Sequence, residues 1–176
     1  MISTSFLPLL LGAVLMFWSV GAYNRLVRLR NAILRHFVPV EQHLEARSAL
    51  LQRQLELLVP RPGAPRRELE TLQAASAQAD AAWLAAKHQP GSADAINSLR
   101  LALQILAQVR GRAVAEDVPD AALALALRQQ LAACDNALQF AQGQFNQAVL
   151  AYNSALAHFP TAWLGALFGF RSAGAL

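Results

Sequence analysis

The first charged side chain in this sequence is Arg25, and the apolar stretch before it constrains the chain more than any other feature. From Phe6 to Tyr23 it reads FLPLLLGAVLMFWSVGAY, 18 residues without a charge. As an α-helix this run spans about 27 Å, enough for the hydrocarbon core of a bilayer. Pro8 falls in the first turn, where a missing N–H removes no helical hydrogen bond. Phe17, Trp18 and Tyr23 gather toward one end, as aromatic residues do at a membrane–water boundary. The rival reading is a cleaved signal peptide, since Val20-Gly21-Ala22 supplies small residues for cleavage. Against it, Met1-Ile2-Ser3-Thr4-Ser5 lacks the Lys or Arg of a signal n-region. The sequence predicts residues 1–24 as an uncleaved, single-pass transmembrane anchor.

Orientation follows from charge. Arg25, Arg28, Arg30 and Arg35 fall just beyond the apolar run with no acid among them. The positive-inside rule keeps such a cluster, and with it the rest of the chain, on the cytoplasmic side and sends the N-terminus across. The alternative is the reverse orientation, with the bundle on the far side. These side chains are also placed to touch anionic headgroups. No aromatic or Gly-rich RNA-binding pattern accompanies them, so nucleic acid is not an expected partner.

Beyond the anchor, residue type sets the fold class. There are 36 Ala and 31 Leu against 10 Val, 4 Ile and 3 Thr, which excludes an all-β or α/β fold. Apolar residues recur at helical spacing directly out of the anchor: Leu26, Leu29, Ile33, Phe37, Val40, Leu44, Leu51, Leu55 and Leu58. One gap, between Leu44 and Leu51, holds Arg47 and Ser48. Pro39 interrupts the stripe, but the stripe resumes in phase, so a kink is expected and not a stop. The prolines of segment 60–65 predict a turn, and Leu69, Leu72, Ala79, Trp83 and Ala86 mark a second helix. Ser92 is positioned as the N-cap of a third helix, with Ile96, Leu99, Leu103 and Leu106 on its inner face. A fourth carries Leu127, Leu131, Cys134, Leu138, Ala141, Phe145, Ala148, Tyr152, Leu156 and Phe159. The predicted architecture is all-α: an N-terminal transmembrane helix continuing into an antiparallel four-helix bundle over 25–158, with helices at about 25–58, 66–88, 93–110 and 119–158.

Four such helices return the chain to the membrane end. Residues 159–176 form an apolar tail in which Phe159, Trp163, Phe168 and Phe170 suit an interfacial helix, or alternatively packing against the base of the first helix. Gly165 and Gly169 form a GxxxG spacing, which close helix packing uses but which also arises by coincidence in a Gly/Ala-rich chain. On the fourth helix, Asn146 and Asn153 lie one heptad apart beside Phe145 and Tyr152. That face reads either as a protein-docking surface or as buried amides that fix helix register.

Chemistry-bearing motifs are lacking. His36, His43, His88 and His158 form no i, i+3 or i, i+4 pair. HExxH, Glu-x-x-His, GxxxxGK, GxGxxG and GxSxG are all missing. No catalytic residue, metal or cofactor is expected. Cys134 stands alone, so no disulfide framework is expected either.

The closing stretch Gln144-Phe145-Asn146-Gln147-Ala148-Val149, with Ala151-Tyr152-Asn153, Phe159-Pro160 and Phe168-Gly169-Phe170, resembles the closing motif of the LemA family. Tyr23-Asn24-Arg25-Leu26-Val27 with Leu29-Arg30-Asn31 is similar to that family's opening motif. The chain departs from the pattern where the family has an Arg-rich stretch leading to Asp-Leu-x-Pro-Asn-Leu; here Arg47 to Leu55 reads RSALLQRQL. Phe145 also stands where the closing motif has its first Tyr. The resemblance implies a divergent member: a single-pass protein of a bacterial inner membrane, with a helical bundle and no established enzyme activity or cofactor. The expected role is contact with a protein partner or scaffolding, with self-association compatible. The alternative is a membrane-remodelling or pore-associated role for the apolar tail.

Overall fold

The helix-forming composition is realised as five helices, with no strand among the described residues. The computed structural model describes residues 6–58, 66–113, 121–158 and 161–176. The helices are α1 (Phe6–Leu58), α2 (Arg66–His88), α3 (Ala93–Ala113), α4 (Ala121–Ala157) and α5 (Thr161–Leu167). The expected turn at 60–65, the predicted start of the fourth helix at Pro119-Asp120, and Phe159 and Pro160 lie outside the described residues.

The apolar run and the first bundle helix form one continuous rod of 53 residues. At 1.5 Å per residue it is about 80 Å long. Pro39 lies within it on the solvent side, where water can reach the carbonyl left without a donor. Between α2 and α3 the chain turns through Gln89, whose carbonyl accepts the Ser92 N–H at 2.9 Å. Ser92 caps α3 as its type predicts: its Oγ accepts the Ala95 N–H at 3.4 Å and its carbonyl the Ile96 N–H at 3.1 Å.

Packing proceeds in pairs, α1 against α4 and α2 against α3, with α2 also touching α1 and α5 touching both α1 and α4. The larger core cluster joins Leu26, Ile33, Phe37, Val40 and Leu44 of α1 to Leu138, Ala141, Phe145, Val149 and Tyr152 of α4. Ala86, Ile96 and Leu99 close it from the other pair. At its centre the rings of Phe37 and Phe145 lie 5.6 Å apart. Leu51, Leu72, Ala75, Ala79, Ala102, Leu106 and Leu131 make a second cluster at the far end. Lys87 of α2 pairs with Glu41 of α1 at 2.6 Å and lies over the Trp83 ring, which adds a polar link between the pairs.

The core differs in detail from the sequence stripes. On α4 the buried positions are Val149 and Ala155, while Ala148 and Leu156 are only partly buried. A 3.6-residue helix drifts against a strict heptad, so the inward face moves by one residue along a long element. The small residues Ala75, Ser76 and Ala102 sit inside on α2 and α3, with the bulkier Trp83 and Leu103 at the margin. Cys134 is half-buried, its thiol donating to the His43 carbonyl at 3.3 Å.

Candidate functional site

The face predicted from Phe145, Asn146, Tyr152 and Asn153 is occupied by the chain itself. Phe145 is fully buried and Tyr152 nearly so. The Asn153 Nδ2 donates to the Ala173 carbonyl at 2.9 Å, and the Ala173 N–H donates to Asn153 Oδ1 at 2.9 Å. Asn146 repeats the arrangement on Leu176, at 2.7 and 2.8 Å. Tyr152 adds a bond from its hydroxyl to the Arg171 carbonyl at 2.9 Å. The spacing has a simple geometric origin. Seven helical residues rise about 10.5 Å, and three extended residues cover about 10 Å. Two asparagines one heptad apart therefore match backbone amides three residues apart, and segment 171–176 runs antiparallel to α4. As an open docking surface this face is corrected: its occupant is residues 171–176, and the amides set the register of that segment and not of a helix. Gly174 lets the segment also pass close against the start of α3, because a Cβ there would stand 2.9 Å from Ala93 backbone.

The other predicted groups collect at the end of the bundle next to the apolar run. Arg25, Arg28, Arg30 and Arg35 are all exposed on α1. Of the predicted tail residues, Phe159 lies outside the described residues. Trp163 is 82% exposed and Phe168 55%. Phe168 and Phe170 nevertheless meet Tyr23 edge-on, with centroids 5.1 and 5.8 Å away. Thus α5 packs on the base of α1 while turning Trp163 and Leu167 outward. Gly169, at φ +70°, ends α5 with the Phe170 N–H bonded to the Gly165 carbonyl at 2.9 Å, a Schellman closure. Gly165 packs against Leu156 of the same chain, so both GxxxG glycines have local roles.

Beside this junction α1, α4 and Thr161 enclose a crevice of about 760 Å³. Trp18, Gly21 and Ala22 line its lower part on α1, with Arg25 and Leu29 above. Ala151, Ser154, Ala155 and His158 line it on α4. The Nδ1 of His158 lies 2.6 Å from the Ser154 carbonyl. A carbonyl can only accept, so Nδ1 carries the proton and Nε2 is the nitrogen available to another group. The Thr161 hydroxyl shares its proton between the Ala155 and His158 carbonyls, at 2.5 and 2.8 Å.

The gap in the α1 stripe hides a feature that sequence reasoning missed. Arg47 occupies the inward position and is buried. It bonds Asp135 Oδ1 at 2.9 Å, and Arg110 of α3 takes the other carboxylate oxygen. Asp135 thus ties three helices together. Burial pulls the Arg47 guanidinium below its ordinary range, opposed by the charge of Asp135. Burial likewise pushes the Cys134 thiol and the Tyr152 hydroxyl upward, so neither is an activated nucleophile. Among the described residues no group of three or more His, Cys, Asp or Glu is gathered to hold a metal ion.

A family model described as LemA family matches residues 36–176, well over half of the chain. No curated protein matches it.

Proposed function

The chain belongs to the LemA family, and from that premise we propose that it is anchored in a bacterial inner membrane by residues 6–23. In this reading its N-terminus lies across the membrane and the bundle lies in the cytoplasm, where it acts by holding a protein partner. One observation carries the anchor. From Pro8 to Val20 every side chain except Ser19 is exposed, all round the helix, so nothing among the described residues covers this apolar surface. A helix apolar on every side needs lipid or a partner to cover it. Ser19 is compatible with lipid because its hydroxyl donates to the Leu15 carbonyl at 2.7 Å. Orientation rests on Arg25, Arg28, Arg30 and Arg35 standing just beyond the run. Partner contact is left to exposed apolar residues elsewhere, such as Phe140 and Leu150 on α4, since the asparagine face is filled.

Reporter fusions before Met1 and after Leu176 test this directly. A reporter after Leu176 active only in the cytoplasm, with one before Met1 active only outside, is the expected result. The opposite pattern would overturn the orientation. A second reading is favoured by the outward Trp163, Leu167 and Phe168, which suit insertion between lipid headgroups and hence membrane deformation. It requires the full chain to deform or permeabilise liposomes, and removal of 159–176 to abolish the effect. Intact liposomes in the presence of the full chain would end it.

A further inference from the structure

We propose that the crevice between α1 and α4 holds one anionic phospholipid, its phosphate between Arg25 and His158 and its acyl chains along Trp18 and Gly21. The inference rests on the reading of residues 6–23 as a membrane span.

Three observations converge on this occupant. First, small residues line both walls, Gly21 and Ala22 on α1 and Ala151, Ser154 and Ala155 on α4, and the space beside them, about 760 Å³, is of the size that holds a small amphiphile. Second, the lining changes character along its height. Trp18 lies about one turn of α1 below Gly21 and Ala22, within the apolar run, and Arg25 lies about one turn above. An amphiphile that is apolar below and charged above matches the order from Trp18 to Arg25. Third, the charge is one-sided. Arg25 lines the crevice, and no Asp or Glu is among its lining residues. His158 stands in the same lining, its Nδ1 held on the Ser154 carbonyl. An acidic peptide would satisfy the arginine but not the apolar lower half, whereas a phosphodiester lipid satisfies both.

The test uses the full chain purified in a zwitterionic detergent and examined by native mass spectrometry. It is titrated with phosphatidylglycerol, with phosphatidylcholine of the same chains, or with inorganic phosphate. One phosphatidylglycerol retained per chain, with about tenfold preference over phosphatidylcholine, is expected for a site offering charge-assisted hydrogen bonds. The Arg25→Ala, His158→Ala double variant should lose that preference. Ala22→Phe should expel the lipid by filling the crevice, with helix content checked by circular dichroism. Arg53→Ala, exposed at the other end of α1, should change nothing. Equal retention of the two lipids, displacement by inorganic phosphate alone, or an equal loss in Arg53→Ala would overturn the proposal. Membrane fractionation separates this from the parent reading: chains found in membranes without lipid preference sink only the crevice, whereas a wild-type chain absent from membranes sinks the anchor.

Discussion

Asp135 shows how much one side chain can organise in a chain with few charges. It is the one acid on α4, and both its oxygens are taken by arginines from other helices. Removing it leaves Arg47 buried without a partner, and losing one member of a buried pair costs about 3 kcal/mol or somewhat more. Asp135 and Arg110 each keep some contact with water, which places Asp135→Ala toward the low end. Arg47→Met should cost less, about 1 kcal/mol, because Asp135 keeps Arg110 and the methionine fills the same inward position. Urea unfolding of the two variants checks the order; a costlier Arg47→Met would mean that the guanidinium is held by something other than this carboxylate. The position of Arg47 was legible, since it stands in the only break of an otherwise regular stripe. Its partner was not, because the two residues are 88 apart in sequence and no local period connects them.

At the scale of elements, the clamp on segment 171–176 makes a sharper forecast. Each asparagine supplies two hydrogen bonds to one residue, and removing both amides strands backbone groups that are otherwise paired, at roughly 1–3 kcal/mol per site. Asn146→Ala with Asn153→Ala should therefore free the segment. The amide hydrogens of Ala173 and Leu176 should exchange much faster while those of Phe145 and Val149 keep their protection. Uniform loss of protection would instead make the segment part of the core's cooperative unit. Two glycines extend the argument. Gly174→Ala drives a Cβ against Ala93 backbone, which cannot yield, whereas Gly165→Ala meets the end of the flexible Leu156 side chain. The first should lower the melting temperature clearly more than the second. The heptad spacing of the asparagines was readable in the sequence. Their acceptor was not, because an extended segment of six residues carries no periodicity that would announce where it lies.

For the molecule as a whole, the apolar run and the bundle are separate problems joined by one helix. The core clusters begin at Leu26, so charges placed in the apolar run should leave the bundle folded. Arginine near the centre of a span costs about 3 kcal/mol for insertion. Leu11→Arg with Val14→Arg is thus expected to shift the chain out of the carbonate-resistant membrane fraction at unchanged helix content. Retention in that fraction would mean that α5 or the crevice end holds the membrane by itself. What the sequence determined alone was the helical class, the apolar run and its flanking charges, the Ser92 cap and most core positions. These depend on propensity, transfer energy and the helical period, all of which act over a few neighbouring residues. The tertiary structure decided the rest: α1 paired with α4, Arg47 set on Asp135, the asparagines closed over the chain's own final segment, and a gap left beside Arg25. Each of these depends on which atoms meet across many tens of residues, and that is settled only when all the helices compete for the same core.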